Sequence, residues 1–479
     1  MNQDYPAIRL FIDGEWTEGT GGAWDDIINP ATEQVIGRVP HASHADLERA
    51  LAAAERGFLV WRDTPIADRT RILKTAARLL RERAGEVGRI MTLEQGKPLA
   101  EATGEAQRVS GTLEWDTEES RRAYGRIIPT DPNTLLTVIK RPIGPVAAFV
   151  PWNFPAGSPM RKMAAALASG CSVVLKPSEE TPGTAQALVQ IFADAGLPKG
   201  VLNLVFGDPA TISSHLIADP RIRLVAFTGS IPVGKLLAGL AAKQMKPAIM
   251  ELGGHAPVIV ARDADPVRAA KASAAGKFVN AGQVCTSPSR FYVHRSLHDQ
   301  YAEAFVEAAR AVKMGNGLEP GITMGPLANS RRLSAIESLV ADLRGRGAEI
   351  RTGGARVGNQ GYFYPPTVIT NVPDDARVLH EEPFGPLAPI QPFDEIEEAL
   401  EKANALPFGL AAYGFTESAA TAEYLKDRLE AGILSINHTG GSVSEAPSGG
   451  VKESGYGREG GAEALEAYLV TKRVSHRLR

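Results

Sequence analysis

A chain of 479 residues with 44% hydrophobic content is too long for one compact core and suits two domains or more. Its 52 Lys and Arg against 55 Asp and Glu give a formal charge of -3, which argues against nucleic acid as a partner, and no apolar run approaches the roughly 18 residues of a membrane span. Two cysteines exclude a disulfide framework and give no metal cluster, and the opening MNQDYPAIRLFIDGEW lacks a basic start followed by an apolar run, so a soluble cytoplasmic protein is expected.

From residue 45 to 61 and from 67 to 91, apolar positions recur at three-and-four spacing between charges, which predicts a helical opening. Past residue 140 come short apolar runs closed by Gly, Pro, Ser or Asn: GPVAAFVPW, CSVVLKP, VLNLVFG and RLVAFTGS. Such runs suit strands buried on both faces of a parallel sheet. Helical stretches separate them (PMRKMAAALASG, TAQALVQIFADAG, TISSHLIAD, PVGKLLAGLAAKQ), and the alternation predicts an open, twisted α/β sheet. A second α/β series starts near Glu251, with APVIVA as a strand, residues 266–282 as a helix and RFYVHR as a strand, and runs on to GILSINH. The segments 126–142 and EAYLVTKRVSHRL alternate like half-exposed edge strands, which suits pairing with another subunit.

Cys171, where a helix passes into a core strand (ASGCSVV), reads as packing. Cys285 lies in the loop NAGQVCTSPSR, rich in small residues and backbone donors, where a thiol can meet a ligand or can equally be a buried apolar side chain. A free thiol titrates near 8.5, so chemistry at Cys285 requires neighbours. Glu251, 34 residues upstream in IMELGGHAP, follows a strand-like run and precedes two glycines; it suits a general base raised by burial, or a surface carboxylate beside a turn. Asn153, in PWNFP, sits in a rigid extended turn from which its amide can donate to an oxyanion.

LVAFTGSIPVG reads as strand, turn and helix start, a place for a pyrophosphate, although Gly229, Ser230 and Gly234 depart from the usual G-x-G-x-x-G spacing. In VVLKPSEETP, Lys176 and Glu179 leave the carboxyl end of a predicted strand, with Glu180 as a solvated neighbour. HEEPFGP has no zinc spacing.

Seven motifs in order, PWNFP, LKPSEETP, FTGSIPVG, MELGGHAP, GQVCTS, EEPFGP and GGVKESGYGREGG, make the chain similar from end to end to the NAD(P)-dependent aldehyde dehydrogenase superfamily. The resemblance implies two open twisted α/β domains, a Rossmann-like cofactor domain and a catalytic domain, with a small β oligomerisation segment. The expected divisions are 1–122 and 143–250 for NAD binding, 251–440 for catalysis, and 123–142 with 463–479 for assembly into a homodimer or homotetramer. It implies Cys285 as nucleophile, Glu251 as base and Asn153 as oxyanion donor. Trp152, Lys176, Glu179, Gly229, Ser230, Gly234, Glu382 and Phe384 would bind the cofactor, expected to be NAD rather than NADP because a carboxylate at Glu179 repels a 2′-phosphate.

Among relatives the chain most resembles succinic and α-ketoglutaric semialdehyde dehydrogenases, in which arginines grip the far carboxylate. Arg161 and Arg290 are the candidates here, with Ser442 and Ser444 on the loop that shapes the substrate entrance. Val279 stands where many of those enzymes carry arginine, as it does in dehydrogenases of small hydroxyaldehydes such as lactaldehyde and glycolaldehyde. A non-catalytic binding protein on the same fold and a CoA-acylating variant are the competing readings; the presence of Cys285, Glu251 and Asn153 opposes the first and Glu251 the second.

Overall fold

The computed structural model describes residues 5–440 and 443–478. Two sheets carry it. The first has eight strands, and its five central ones, Leu202–Leu204, Val173–Lys176, Val146–Phe149, Leu224–Gly229 and Ala248–Leu252, run parallel in that spatial order. Each is a short β-branched or aliphatic run, buried on both faces between helices such as Gly157–Ser169, Pro182–Asp194 and Ile231–Lys243. The chain order reverses between Val146–Phe149 and Leu224–Gly229, and at the carboxyl ends of strands around such a reversal the sheet leaves a crevice.

The second sheet has seven strands in the order Glu349–Thr352, Thr367–Thr370, Leu387–Phe393, Pro288–His294, Ala256–Val260, Ala411–Phe415 and Ile433–Ile436, parallel except for the first. Residues just before Pro288–His294 and Leu387–Phe393 include Cys285, Glu382 and Phe384, so this sheet brings candidate residues to the crevice at the amino ends of its strands. Each sheet has its own apolar core.

Three features differ from the sequence expectation. The opening is not wholly helical: four strands precede the helix His44–Asp63, and the first two, Leu10–Ile12 and Glu15–Thr17, form a hairpin on the edge of the first sheet. Asp13 and Gly14 make its two-residue turn with φ of 55° and 80°, the left-handed pair such a hairpin demands. The helix expected over 266–282 stops at Lys277, because Asn280 and Ala281 take left-handed backbone. Finally, Glu251 lies inside a strand of the first sheet, so the change of sheet comes after Leu252 rather than before Glu251, and the first sheet borrows Gly455–Tyr456 from far along the chain.

The two segments expected at a subunit edge pair with each other: Leu469–Arg477 runs antiparallel to Thr134–Pro142, which also pairs Arg126–Ile128. No helix is long and apolar enough to cross a membrane among the described residues.

Candidate active site

The loop before Cys285 is built from strained backbone. Asn280, Ala281 and Gly282 follow one another at φ of 49°, 54° and 74°, and each non-glycine residue held so costs about 1 kcal/mol or more. The surroundings enforce it. Gln283 Nε2 donates to Asn280 O at 3.0 Å and its Oε1 accepts from Ala328 N at 2.9 Å, while a Cβ on Gly282 would stand 2.3 Å from Gly385 O. The turn is thereby pressed against the EEPFGP segment.

Asn153 reaches the same loop from the end of Val146–Phe149. It is buried, and its Nδ2 donates to Gln283 O at 3.1 Å, two residues before Cys285. One amide hydrogen is so used; an amide has two. Its main-chain oxygen accepts from Asn280 Nδ2 at 2.8 Å and from the buried Lys97 Nζ at 3.0 Å.

Cys285 is half-buried, whereas Cys171 is fully buried with its thiol turned to Tyr468 O at 3.4 Å. Burial pushes the Cys285 thiol up to about 12; the Glu382 and Glu251 carboxylates add to this, and Arg161 opposes it. The protein alone therefore holds a thiol here at neutral pH, and ionisation needs a proton acceptor at the moment of reaction.

Glu251 lies near enough for its charge to act on that thiol. It is 8% exposed, its Oε1 has no hydrogen-bond partner, and a Cβ on Gly449 would lie 2.8 Å from that oxygen. Burial raises its carboxyl to about 8; Glu459 adds to this, and Lys162, Arg161 and Arg458 oppose it. Glu459 is buried and ion-paired with the wholly buried Lys162. Asp116, raised by burial to about 8, also senses Arg161 and Glu459. Side chains from residues 116, 161, 162, 251 and 459 thus form one polar patch, buried except for the half-buried Arg161.

A second set of residues suits a dinucleotide. Lys176, at the end of its strand, is ion-paired with Glu179. The helix Ile231–Lys243 starts after Gly229 with Ser230 exposed and making no side-chain cap, which leaves the Ile231 and Val233 N–H groups for an anion, Pro232 having none. Gly234 is buried where a Cβ would stand 2.3 Å from Leu252 Cδ2, so that helix seats directly on the sheet. The two glycines after Glu251 serve Glu382: a Cβ on Gly253 would lie 2.4 Å from Glu382 Oε2, and Gly254 N donates to Oε1 at 3.3 Å. Burial raises Glu382 to about 7, opposed by that N–H, Arg332 and Lys277. Phe384, left-handed at φ 43°, meets Trp152 edge-on with ring centroids 5.6 Å apart. This set fits NAD(P): an open helix start for phosphate, a carboxylate and an ammonium for one ribose, a half-buried carboxylate for the other, and an aromatic pair beside it.

Arg290 is not brought to the site. It is 2% exposed, and its guanidinium donates to His255 O at 2.9 Å, Lys402 O at 2.9 Å and Ala403 O at 3.0 Å, stitching a strand to the helix Ile396–Asn404. Glu180 is likewise no solvated bystander, since it accepts from Asn329 Nδ2 at 2.9 Å and pairs with Arg331 across the two sheets. Arg161, in the first turns of Gly157–Ser169, does face the patch. Ser442 lies outside the described residues; nearby Ser444 Oγ is 3.1 Å from Thr112 Oγ1. Val279 is 41% exposed. Among the described residues no group of three His, Cys, Asp or Glu could hold a metal ion. Sequence reasoning missed Lys97, Lys162, Asn280, Gln283 and Glu459; a buried lysine carries no local pattern, and only the asparagine next to A-G hints at a left-handed turn.

Residues 16–474 match the model of the aldehyde dehydrogenase family. The chain is 45% identical to a 4-(hydroxymethyl)benzenesulfonate dehydrogenase of Comamonas testosteroni, covering 98% of each, and 42% identical to a 3-sulfolactaldehyde dehydrogenase of Pseudomonas putida, covering 97% of this chain and 96% of the other. The solved structure of a succinate-semialdehyde dehydrogenase from Burkholderia pseudomallei superposes with a TM-score of 0.97 at 40% identity, covering 100% of this chain and 99% of that one.

Proposed function

The chain belongs to the aldehyde dehydrogenase family, an oxidoreductase family that uses NAD(P), and from that premise we propose that it oxidises an aldehyde carrying an anion at its far end. The anion is a carboxylate, as in succinic or α-ketoglutaric semialdehyde, or a sulfonate, as the names of two relatives suggest. The bond from the Asn153 amide to the loop of Cys285, with Glu251 near enough to act on that thiol, supports the reading of the reaction.

Cys285 Sγ bonds to the aldehyde carbon as its thiol proton passes to water, and the carbonyl oxygen becomes an oxyanion facing the Asn153 amide and the Cys285 N–H. Bound NAD(P) supplies the hydride acceptor. The sulfur is then left in a thioester, and Glu251 removes a proton from the water that attacks it, releasing the acid and restoring the thiol. Lys162 and Glu459, buried beside Glu251, give that proton a polar path away from the base.

Arg161 is the cation for the substrate's anion, suited by its planar fork to a carboxylate or a sulfonate. Glu179 favours NAD over NADP by accepting from a free 2′-hydroxyl. Val279 favours a second reading, a small hydroxyaldehyde such as lactaldehyde or glycolaldehyde, because one arginine contact is missing there. Residues 126–142 and 469–477 form a sheet with exposed Ile127 and Val470, which supports assembly into a homodimer or homotetramer.

A screen of NADH production over succinic and α-ketoglutaric semialdehydes, 3-sulfolactaldehyde, lactaldehyde, glycolaldehyde and benzaldehyde tests the substrate class. The anionic aldehydes should lead in kcat/KM, and equal or better rates with glycolaldehyde and benzaldehyde would overturn it.

A further inference from the structure

We propose that Asn280 is a positioning residue of the oxyanion site, one that fixes the separation between the Asn153 amide and the Cys285 loop. The proposal rests on the reading of Asn153 and Cys285 given above. Asn280 Nδ2 donates to Asn153 O at 2.8 Å and to Gln283 O at 3.3 Å, and Gln283 O is the same carbonyl that receives Asn153 Nδ2. One buried amide therefore ties together a loop that ends a strand of the first sheet and a loop that leads into a strand of the second.

The sense of the network is fixed at both ends. It starts at Lys97 N, which can only donate, to Gln95 Oε1 at 3.0 Å. Gln95 Nε2 then donates to Asn280 Oδ1 at 2.7 Å, and Asn280 Nδ2 ends on two main-chain oxygens, which can only accept. Flipping either amide would set acceptor against acceptor in a dry site. Asn280 N adds a bond to Glu101 Oε2 at 3.3 Å. The left-handed backbone at φ 49° needs no asparagine, since glycine adopts it freely. What asparagine adds is the amide.

Asn280→Gly keeps the backbone and deletes that amide. Expected are a fall in kcat of about 30-fold, a KM for the aldehyde and a Kd for NAD (by tryptophan fluorescence) within about twofold of the parent, and an NADH burst that slows with kcat. The decisive readout is coupling: Asn153→Ala combined with Asn280→Gly should be no more than about twofold slower than Asn153→Ala alone. Losses that multiply, or an Asn280→Gly enzyme with unchanged kcat and only a lower Tm, would overturn the proposal. If Asn280→Gly fails to fold, Gln95→Ala, which frees the Asn280 amide to turn, takes its place with an expected loss of about fivefold and the same coupling; no loss there overturns it equally. Asn153→Ala with a parental kcat would instead sink the oxyanion reading itself, and that result is separate from the coupling.

Discussion

The two sides of Cys285 are built by different means. On the side proposed for the nucleotide stand strand-end side chains, an open helix start and glycines that let backbone approach closely: Lys176, Glu179, Gly229, Gly234, Gly253 and Glu382. On the substrate side, five ionisable side chains from residues 116 to 459 share a buried patch in which three carboxyls face two cations from the helix Gly157–Ser169. Backbone chemistry tolerates little change in shape, whereas buried side-chain charge tolerates little change in protonation. The glycine contacts of the nucleotide side should therefore answer to substitutions in size, and the buried carboxyls, Glu382 as well as Glu251, to pH.

The sharpest way to break this contrast is at the sulfur between the two sides. Cys285→Ala should lose turnover by about 10⁴-fold or more while NAD affinity, measured by fluorescence titration, stays within about twofold. Surviving turnover would mean that neither side serves a thiol.

Next in size is the base. Burial raises Glu251 to about 8. The base must be ionised to act, so the steady rate should climb through neutral pH, reach half its plateau near pH 8 and level off above about pH 9, and a stopped-flow pH series checks this. Glu251→Gln should slow the steady rate by about 10²- to 10³-fold. On the nucleotide side the matching change is Gly234→Leu, which has no space against Leu252; it should weaken NAD at every pH, without the pH dependence of the Glu251 change.

Smaller effects sharpen each side separately. Arg161→Ala should cost about 10- to 100-fold in kcat/KM for anionic aldehydes and little for benzaldehyde, the loss of one charge-assisted contact. An equal loss for all aldehydes would make Arg161 a structural member of the patch. Glu179→Gln should narrow the preference for NAD over NADP by about tenfold, seen as the ratio of kcat/KM values.

The smallest expected effect is on stability. Glu251 titrates higher in the folded state than its ordinary 4.5, so the folded protein holds that proton longer than the unfolded chain does. The resulting stability is complete below about pH 4.5, is lost as pH rises to about 8, and changes no further. Glu251→Gln removes the loss, so its Tm should exceed the parent's by a few degrees at pH 9 and by little at pH 5.

This division also separates what was legible in the sequence from what was not. Lys176, Glu179, Gly229 and Cys285 lie in short local motifs whose strand, turn and helix context can be read from neighbours. The alternation of buried strands and helices past residue 140 was legible for the same reason, and the Asp13–Gly14 hairpin was there to be read as well. Lys162 and Glu459, in contrast, lie 297 residues apart and meet only once the segment around Gly455–Tyr456 has joined the first sheet. Arg290 misled because charge and nearness to Cys285 along the chain say nothing about direction; on an inward-facing strand position its donors went to main-chain oxygens. Asn280 was hidden by its backbone, since the letters NAGQ hint at one left-handed residue at a helix end and not at three in succession.

The most direct test of the central claim is the mass of Glu251→Gln protein quenched in acid during turnover with NAD and succinic semialdehyde. The expected result is protein heavier by the aldehyde less one hydride and one proton, with the added mass on the tryptic peptide that contains Cys285. Unmodified Cys285 in an enzyme that has just produced a burst of NADH would contradict it.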